Sequence, residues 1–292
     1  MEDFDYYGLE ALSQSGAKAL LVSPAQFRAE RDTPKVDTAA MAVGRLVHAL
    51  VLEPDTVAQK FSTGPDLSQV KTKDGKPAAN PAATAEGKAL AAEWLAAHPD
   101  VTVVAAADFA VCEAMAASLR NTPHPELGLT LADLLAMDKT ETEVPIVWTD
   151  EATGAKCKAK LDALVRLPLG RFLIVDPKTT AKPMTAKALS TAIADFGYHR
   201  QVAAYLEAAA SMGIVDVEFW FLFVSKTAPH EAAWIKLNDA AVQVGAQEWD
   251  AAKAIYAACV ANDSWPSAQV AGLLPTELGL PAWYRSGIEG GE

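Results

Sequence analysis

The chain has 292 residues, 51% of them hydrophobic, with a mean hydropathy of +0.09 and a formal net charge of −12. That is enough apolar material for one large core or two small ones. No run of 18 apolar residues is present, which argues against a helical membrane span, and the acidic start MEDFDYYGLE is not expected to be a secretory leader.

In chain order, residues 12–32 (LSQSGAKALLVSPAQFRAERD) carry helical spacing behind serine caps and read as a helix or a helix pair. Residues 38–54 (TAAMAVGRLVHALVLEP) read as a second helix that ends near Pro54, because the residue before a proline avoids the helical region. Residues 62–83 are rich in Gly, Pro, Lys and Asp and read as loop, and two alanine-rich helices follow at 82–98 and 106–122. The texture changes near residue 140. TEVPIVWT, GAKCKAKLDALVRL and RFLIVDPK read as three strands joined by the turn sequences DEATG and PLG. Residues 185–213 read as helix interrupted near Gly197. VDVEFWFLFVSK and EAAWIKL read as strands, residues 238–262 as a closing helix, and the tail from Ser264 as loop. Three scattered cysteines, Cys112, Cys157 and Cys259, make neither a disulfide framework nor a zinc motif, which fits a reducing cytoplasm.

The acidic net charge argues against a polyanion partner, but its distribution does not. From Lys156 to Arg200 there are nine Lys/Arg against three Asp, a local +6 that leaves −18 for the rest. A basic island in an acidic body suits a protein that holds a polyanion in one place; chance clustering on a solvated face is the plainer alternative. Side chains alternate along a strand, so Lys156, Lys158, Lys160 and Asp162 share one face, with Cys157, Ala159, Leu161 and Ala163 on the other. In the next strand Asp176 and Lys178 share a face. Pairing through the LPLGR turn brings Asp162 and Asp176 together, with the lysine row leading toward them. Two converging carboxylates suit a hard divalent cation such as Mg²⁺. A lysine beside it can orient or deprotonate water and stabilise charge at phosphorus. Taken alone, the Asp-Pro-Lys triplet also fits a surface ion pair.

Asp162, then VDPK, then YHRQVAAY resembles the active-site order of the PD-(D/E)xK nuclease superfamily, and within it the RecB-like exonucleases with a Q-x-x-x-Y motif, here Gln201 and Tyr205. These two lie four apart, on one face of a helix, placed to touch a phosphate backbone. GRLVHALVLEP is similar to the segment in which a helical histidine is a metal ligand, which implies that role for His48; without the resemblance, a lone histidine on an apolar helix is more often a core residue. LSQSGAKALLVSPAQF, GRLVHALVLEP, EVPIVWTDEATGAKCKAKLD, DPKTT, GYHRQVAAYL and LPAWY together look like the RecE-type (exodeoxyribonuclease 8-like) group of phages and prophages.

The resemblance implies an α/β (α+β) restriction-endonuclease-like core, a mixed central sheet flanked by helices. The expected layout is one domain over residues 1–292, with a helical part at 1–139, a catalytic core at 140–262 and a tail at 263–292. It implies Mg²⁺-dependent (or Mn²⁺-dependent) degradation of linear double-stranded DNA from the 5′ end, leaving 3′ overhangs for recombination, in a bacterial host cytoplasm. A ring-like homo-oligomer and a single-strand annealing protein are the partners it implies; no membrane is involved. The implied catalytic residues are Asp162, Asp176, Lys178, Gln201 and Tyr205. The implied metal ligands are His48, Asp162, Asp176 and the Pro177 backbone carbonyl, and the DNA contacts are Lys156, Lys158, Lys160, Arg45 and Arg200. Glu113 and Glu143 are both candidates for a third carboxylate. Three cysteines cannot hold the four-cysteine iron–sulfur cluster of one RecB-like branch. No G-x-G-x-x-G or Walker A pattern supports a small-molecule α/β enzyme. A catalytically inactive DNA-binding or assembly module of the same fold is a rival reading, against which the complete Asp162–Asp176–Lys178 set argues. A RecB-like nuclease of different polarity or single-strand preference is another.

Overall fold

The computed structural model describes residues 6–33, 38–72 and 74–280. Most of the LPAWY segment, residues 281–284, therefore lies outside the described residues. The elements in order are α1 (Gln14–Val22), α2 (Pro24–Asp32), α3 (Ala39–Leu52), α4 (Val57–Lys60), β1 (Phe61–Ser62), α5 (Ala85–Ala97), β2 (Thr102–Val103), α6 (Ala106–Asn121), α7 (Leu131–Leu135), β3 (Glu141–Thr149), β4 (Lys156–Arg166), β5 (Phe172–Thr180), α8 (Ala186–Phe196), α9 (Tyr198–Ser211), β6 (Val217–Ser225), β7 (Ala232–Ile235) and α10 (Asp239–Asn262).

The first helical stretch is a pair. Ser23 leaves the helical region, accepts a hydrogen bond from the Gln26 backbone N–H, and hands over to Pro24 at the first position of α2. The break at Gly197 falls where expected: φ of +71° closes α8 and opens α9, a conformation that glycine adopts without strain. The short helix α7, held by a Thr130–Asp133 capping box, escapes the sequence reading because five residues carry too little periodicity.

The main sheet has the order β3-β4-β5-β6-β7, antiparallel except for the parallel β5–β6 pair, whose crossover is α8–α9. It is a mixed sheet flanked by helices, as the family resemblance implies. Leu46 and Val47 of α3, Met115 and Leu119 of α6, and Leu131 and Leu134 of α7 cover one face. Leu189 of α8 and Val202, Ala208 and Ala209 of α9 cover the other. β6 is therefore apolar on both faces, with Phe219, Phe221 and Phe223 on one and Trp220, Leu222 and Val224 on the other.

The sheet forks in its middle. β4 pairs with β5 only from Ala163–Val175 to Arg166–Phe172. Beyond that, β4 continues against β3 and β5 continues against β6. From Asp176 on, β5 has no partner on its β4 side among the described residues, so position 177 behaves like an edge and tolerates proline. The freed edge of β4 is taken by the N-terminal segment: the Leu12 N–H donates to the Lys156 carbonyl at 2.8 Å, and the Lys158 N–H to the Leu12 carbonyl at 2.8 Å.

This segment overturns one expectation. Lys158 is 9% exposed and does not face solvent. Its ammonium donates to the carbonyls of Tyr6 (2.9 Å), Tyr7 (3.3 Å) and Leu9 (2.9 Å) and lies over the Tyr6 ring. It clamps the N-terminal segment and is not presented to a DNA backbone. Lys158→Met should therefore destabilise the fold by about 2–4 kcal/mol, because three carbonyls lose a charged donor. Thermal unfolding and limited proteolysis near residues 6–12 check this; an unchanged Tm with no new cleavage contradicts it.

Candidate active site

Asp162 and Asp176 stand where β4 and β5 part. Asp162 is the last residue of β4 before the paired stretch, and Asp176 the first of β5 after it. The alternation of β4 also changes here. Ala159, Leu161 and Leu164 pack on the α9 side of the sheet, while Ala163 and Val165 pack on the α3 side. Opposite Asp162, Glu143 takes φ of +55°, and the β3–β4 ladder skips that one rung. A non-glycine residue at positive φ is strained and is held there by its surroundings. The fork and the skipped rung let groups from both faces of the sheet meet.

From the α3 side comes His48. Its Nδ1 lies 3.1 Å from Glu143 Oε1 and its Nε2 2.8 Å from Asp162 Oδ2. Lys160 pairs with Glu143, donates to the Tyr7 hydroxyl at 3.1 Å and lies over the Tyr7 ring. From the α9 side comes Gln201, whose amide donates to Asp176 Oδ2, while Lys178 pairs with Asp176 Oδ1. The Lys178 ammonium also sits over the rings of Tyr198 and Phe221. Asp176 is fully buried and lies within hydrogen-bonding reach of Asp162.

The electrostatics follow from these neighbours. Burial and the charge of Asp162 push the Asp176 carboxyl well above the usual carboxylate range, although Lys178 opposes them. Burial works upward on Asp162 too, but His48 and Lys178 outweigh it and hold that carboxyl low. Burial lowers the Lys178 ammonium, yet Asp176 and Asp162 more than restore it. Lys178 is therefore charged at neutral pH, suited to neutralising negative charge rather than to taking a proton. Burial raises the Tyr205 hydroxyl, helped by both aspartates, so it stays protonated as a donor.

The structure gathers His48, Asp162, Asp176, Lys178, Gln201 and Tyr205 around one point. The donor atoms of His48, Glu143 and Asp162 lie within 4.8 Å of one another. Glu143 Oε1 is buried and, despite its nearness to His48, accepts no aligned hydrogen bond among the described residues. One imidazole nitrogen, two carboxylates and an unsatisfied buried oxygen fit a hard divalent cation. Of the two candidate acids, Glu143 is the one beside His48 and Asp162, whereas Glu113 lines a separate cavity beside Trp94 and Phe109. Both oxygens of Asp176 are engaged by Lys178 and Gln201, so it stands next to the three-residue cluster and not in it. The Gln201 amide is engaged by that carboxylate. Pro177 lines a cavity with Lys178 and His48.

The DNA-contact expectations divide. Arg45 and Lys160 line the cleft of about 530 Å³ that holds His48, Glu143 and Asp162. Lys156 is exposed but lies six residues up the strand, roughly 20 Å from Asp162 at a strand's rise. Arg200 is 6% exposed and pairs with Glu248, tying α9 to α10; like Lys158, it is structural. Its signal in the sequence is charge alone, which does not distinguish a surface cation from a buried partner.

His48 carries a testable consequence. Burial lowers the imidazole, but Asp162 and Glu143 outweigh this and raise it to about 10. The stabilisation from this pairing in the metal-free fold is complete below the ordinary value of 6.5 and is lost as pH rises through about 10. A cation taking His48 as ligand must displace that proton. Mn²⁺ affinity should therefore rise by up to about tenfold per pH unit between roughly pH 7 and 10, and His48→Gln should flatten the dependence. Calorimetry in buffers of different ionisation enthalpy checks this; no proton release on binding contradicts it.

None of the curated proteins compared matches this chain. A crystal structure of a provisionally named exonuclease from Eubacterium rectale superposes with a TM-score of 0.55 over 98% of both chains, at 14% identity, which shows a shared fold. A second structure, SSO0001, reaches a TM-score of only 0.28 at 17% identity over 41% of this chain and 54% of its own, and carries no argument. Among the described residues no helix is long and apolar enough to cross a membrane. The profile of a family described as a PDDEXK-like domain of unknown function, DUF3799, matches residues 13–272, which takes in α1 to α10, the forked sheet and every residue of the cluster. By that match the chain belongs to the PDDEXK-like family DUF3799.

Proposed function

We propose that this protein is a divalent-metal-dependent exodeoxyribonuclease that degrades linear double-stranded DNA from the 5′ end, with Mg²⁺ as its natural cation and Mn²⁺ as a substitute. The observation that supports this reading best is the convergence of His48, Glu143 and Asp162 with the Asp176–Lys178 pair where the sheet forks. His48, Glu143 and Asp162 would hold the cation, with Asp176 beside them. Once bound, the cation supplies Lewis acidity toward a phosphodiester oxygen. The chain's own groups do the rest. Gln201 holds the Asp176 carboxylate in place, and Lys178 places a fixed positive charge where negative charge develops at phosphorus. Tyr205 keeps a proton to donate within the buried cluster. Arg45 and Lys160 flank the cleft and would meet phosphates without reading bases. A cytoplasmic setting, a ring-like homo-oligomer and an annealing partner that receives the 3′ overhang belong to the same proposal.

The test is incubation with end-labelled linear duplexes, with and without a 5′-phosphate, and with single strands, in Mg²⁺ and in EDTA. Shortening of the 5′-labelled strand in Mg²⁺ alone is the expected result. Duplex binding without cleavage would assign the inactive DNA-binding module instead, and digestion from the 3′ end or of single strands alone would change the branch.

A further inference from the structure

Among the described residues, four glycines lie inside helices: Gly16, Gly44, Gly87 and Gly245. Glycine is less stable than alanine in a helix interior, so each calls for a reason. Three have one in the protein's own packing. A Cβ at Gly16 would sit 2.9 Å from the Phe27 ring, one at Gly87 2.0 Å from the Pro81 carbonyl oxygen, and one at Gly245 2.1 Å from the His199 carbonyl oxygen. Gly44 is the exception: a Cβ there meets nothing within 4 Å.

The open space has a definite place. Gly44 and His48 are one turn apart on the same face of α3. They are the two residues shared by the walls of two cavities, one of about 530 Å³ that includes Glu143 and Asp162 and one of about 200 Å³ that includes Lys178 and Tyr198. The Gly44–His48 turn is therefore the saddle between the proposed metal ligands and the lysine.

We infer that Gly44 sets the passage for substrate: its missing side chain lets the sugar-phosphate backbone of one DNA strand cross α3 between the two cavities and lie against the cluster. This rests on the nuclease reading. It differs from a packing role because the described residues leave the space empty, and from a ligand role because glycine offers no donor side chain.

The experiment uses the full chain with Gly44→Ala and Gly44→Leu. Linear-duplex cleavage, Tm and Mn²⁺ affinity by calorimetry are measured for each. With alanine and leucine both better helix formers, Tm should hold or rise by about 2 °C. Mn²⁺ affinity should stay within about twofold of wild type. Duplex kcat/KM should fall about tenfold for Ala and on the order of 10²-fold for Leu, the size expected when a reacting strand is displaced by about an ångström. A folded Gly44→Leu protein of wild-type activity overturns the inference. So does a loss of activity that tracks a fall in Tm or in Mn²⁺ affinity, since Gly44 would then serve packing or ligand placement; the alanine variant decides the matter if the leucine variant does not fold. A wild-type protein that cleaves no DNA sinks the nuclease reading itself, and is distinguished by appearing before any substitution is made.

Discussion

Asp176→Asn should reduce DNA cleavage by on the order of 10³-fold, several kcal/mol of barrier, while the chain remains folded. Asn keeps the shape and one acceptor for Gln201 or Lys178 but removes the charge at the fork. The stability effect runs the other way. Because burial and Asp162 raise the Asp176 carboxyl, the folded chain holds that proton more tightly than the unfolded chain does. In chelator, wild-type stability therefore falls as pH climbs from the ordinary carboxylate value of 3.8 through the raised folded one. The Asn variant lacks this loss, so its Tm should match or exceed wild type at neutral pH and show a smaller pH slope. A divalent cation should narrow the gap. Unimpaired cleavage by Asp176→Asn would end the assignment of this site.

Lys178→Met should lower cleavage by about 10²–10⁴-fold, the range of a lost positioned charge or proton donor. Here the fold also suffers. The Lys178 side chain is 19% exposed and its ammonium is the cationic partner of the fully buried Asp176. Removing it leaves two close carboxylates with less to balance them, a loss of about 3 kcal/mol for a broken buried pair. The loss should shrink at acid pH, where Asp176 is protonated, and on adding Ca²⁺ or Mn²⁺, which restores positive charge. Tm measured across pH, with and without cation, separates this from a surface ion pair, whose removal would change Tm little under any condition.

Several features were legible in the residues alone because they depend on neighbours close in sequence. The break at Gly197 follows from turn chemistry, while residues 12–32 read as one helix or two until the structure places the break at Ser23–Pro24. The pairing of β4 with β5 follows from the LPLGR turn, and it brings Asp162 and Asp176 together as the turn requires. Gln201 and Tyr205 share a helix face because they are four residues apart. Tertiary structure decided what lies against each face. Strand alternation puts Lys158 and Lys160 on the side of Asp162, but it cannot show that a segment some 150 residues earlier, Tyr6 to Leu12, fills the fork and buries Lys158 under its carbonyls. Nor can it show that Arg200 turns inward to Glu248 on α10. Glu113 and Glu143 were equal candidates in sequence, since both are acids without a motif. Glu143 joins His48 and Asp162 because the strand opposite the fork bends to positive φ there, a strain that only the assembled sheet imposes. Local preference wrote the elements and their turns; burial and charge pairing, which act across the folded chain, chose which polar groups meet at the site.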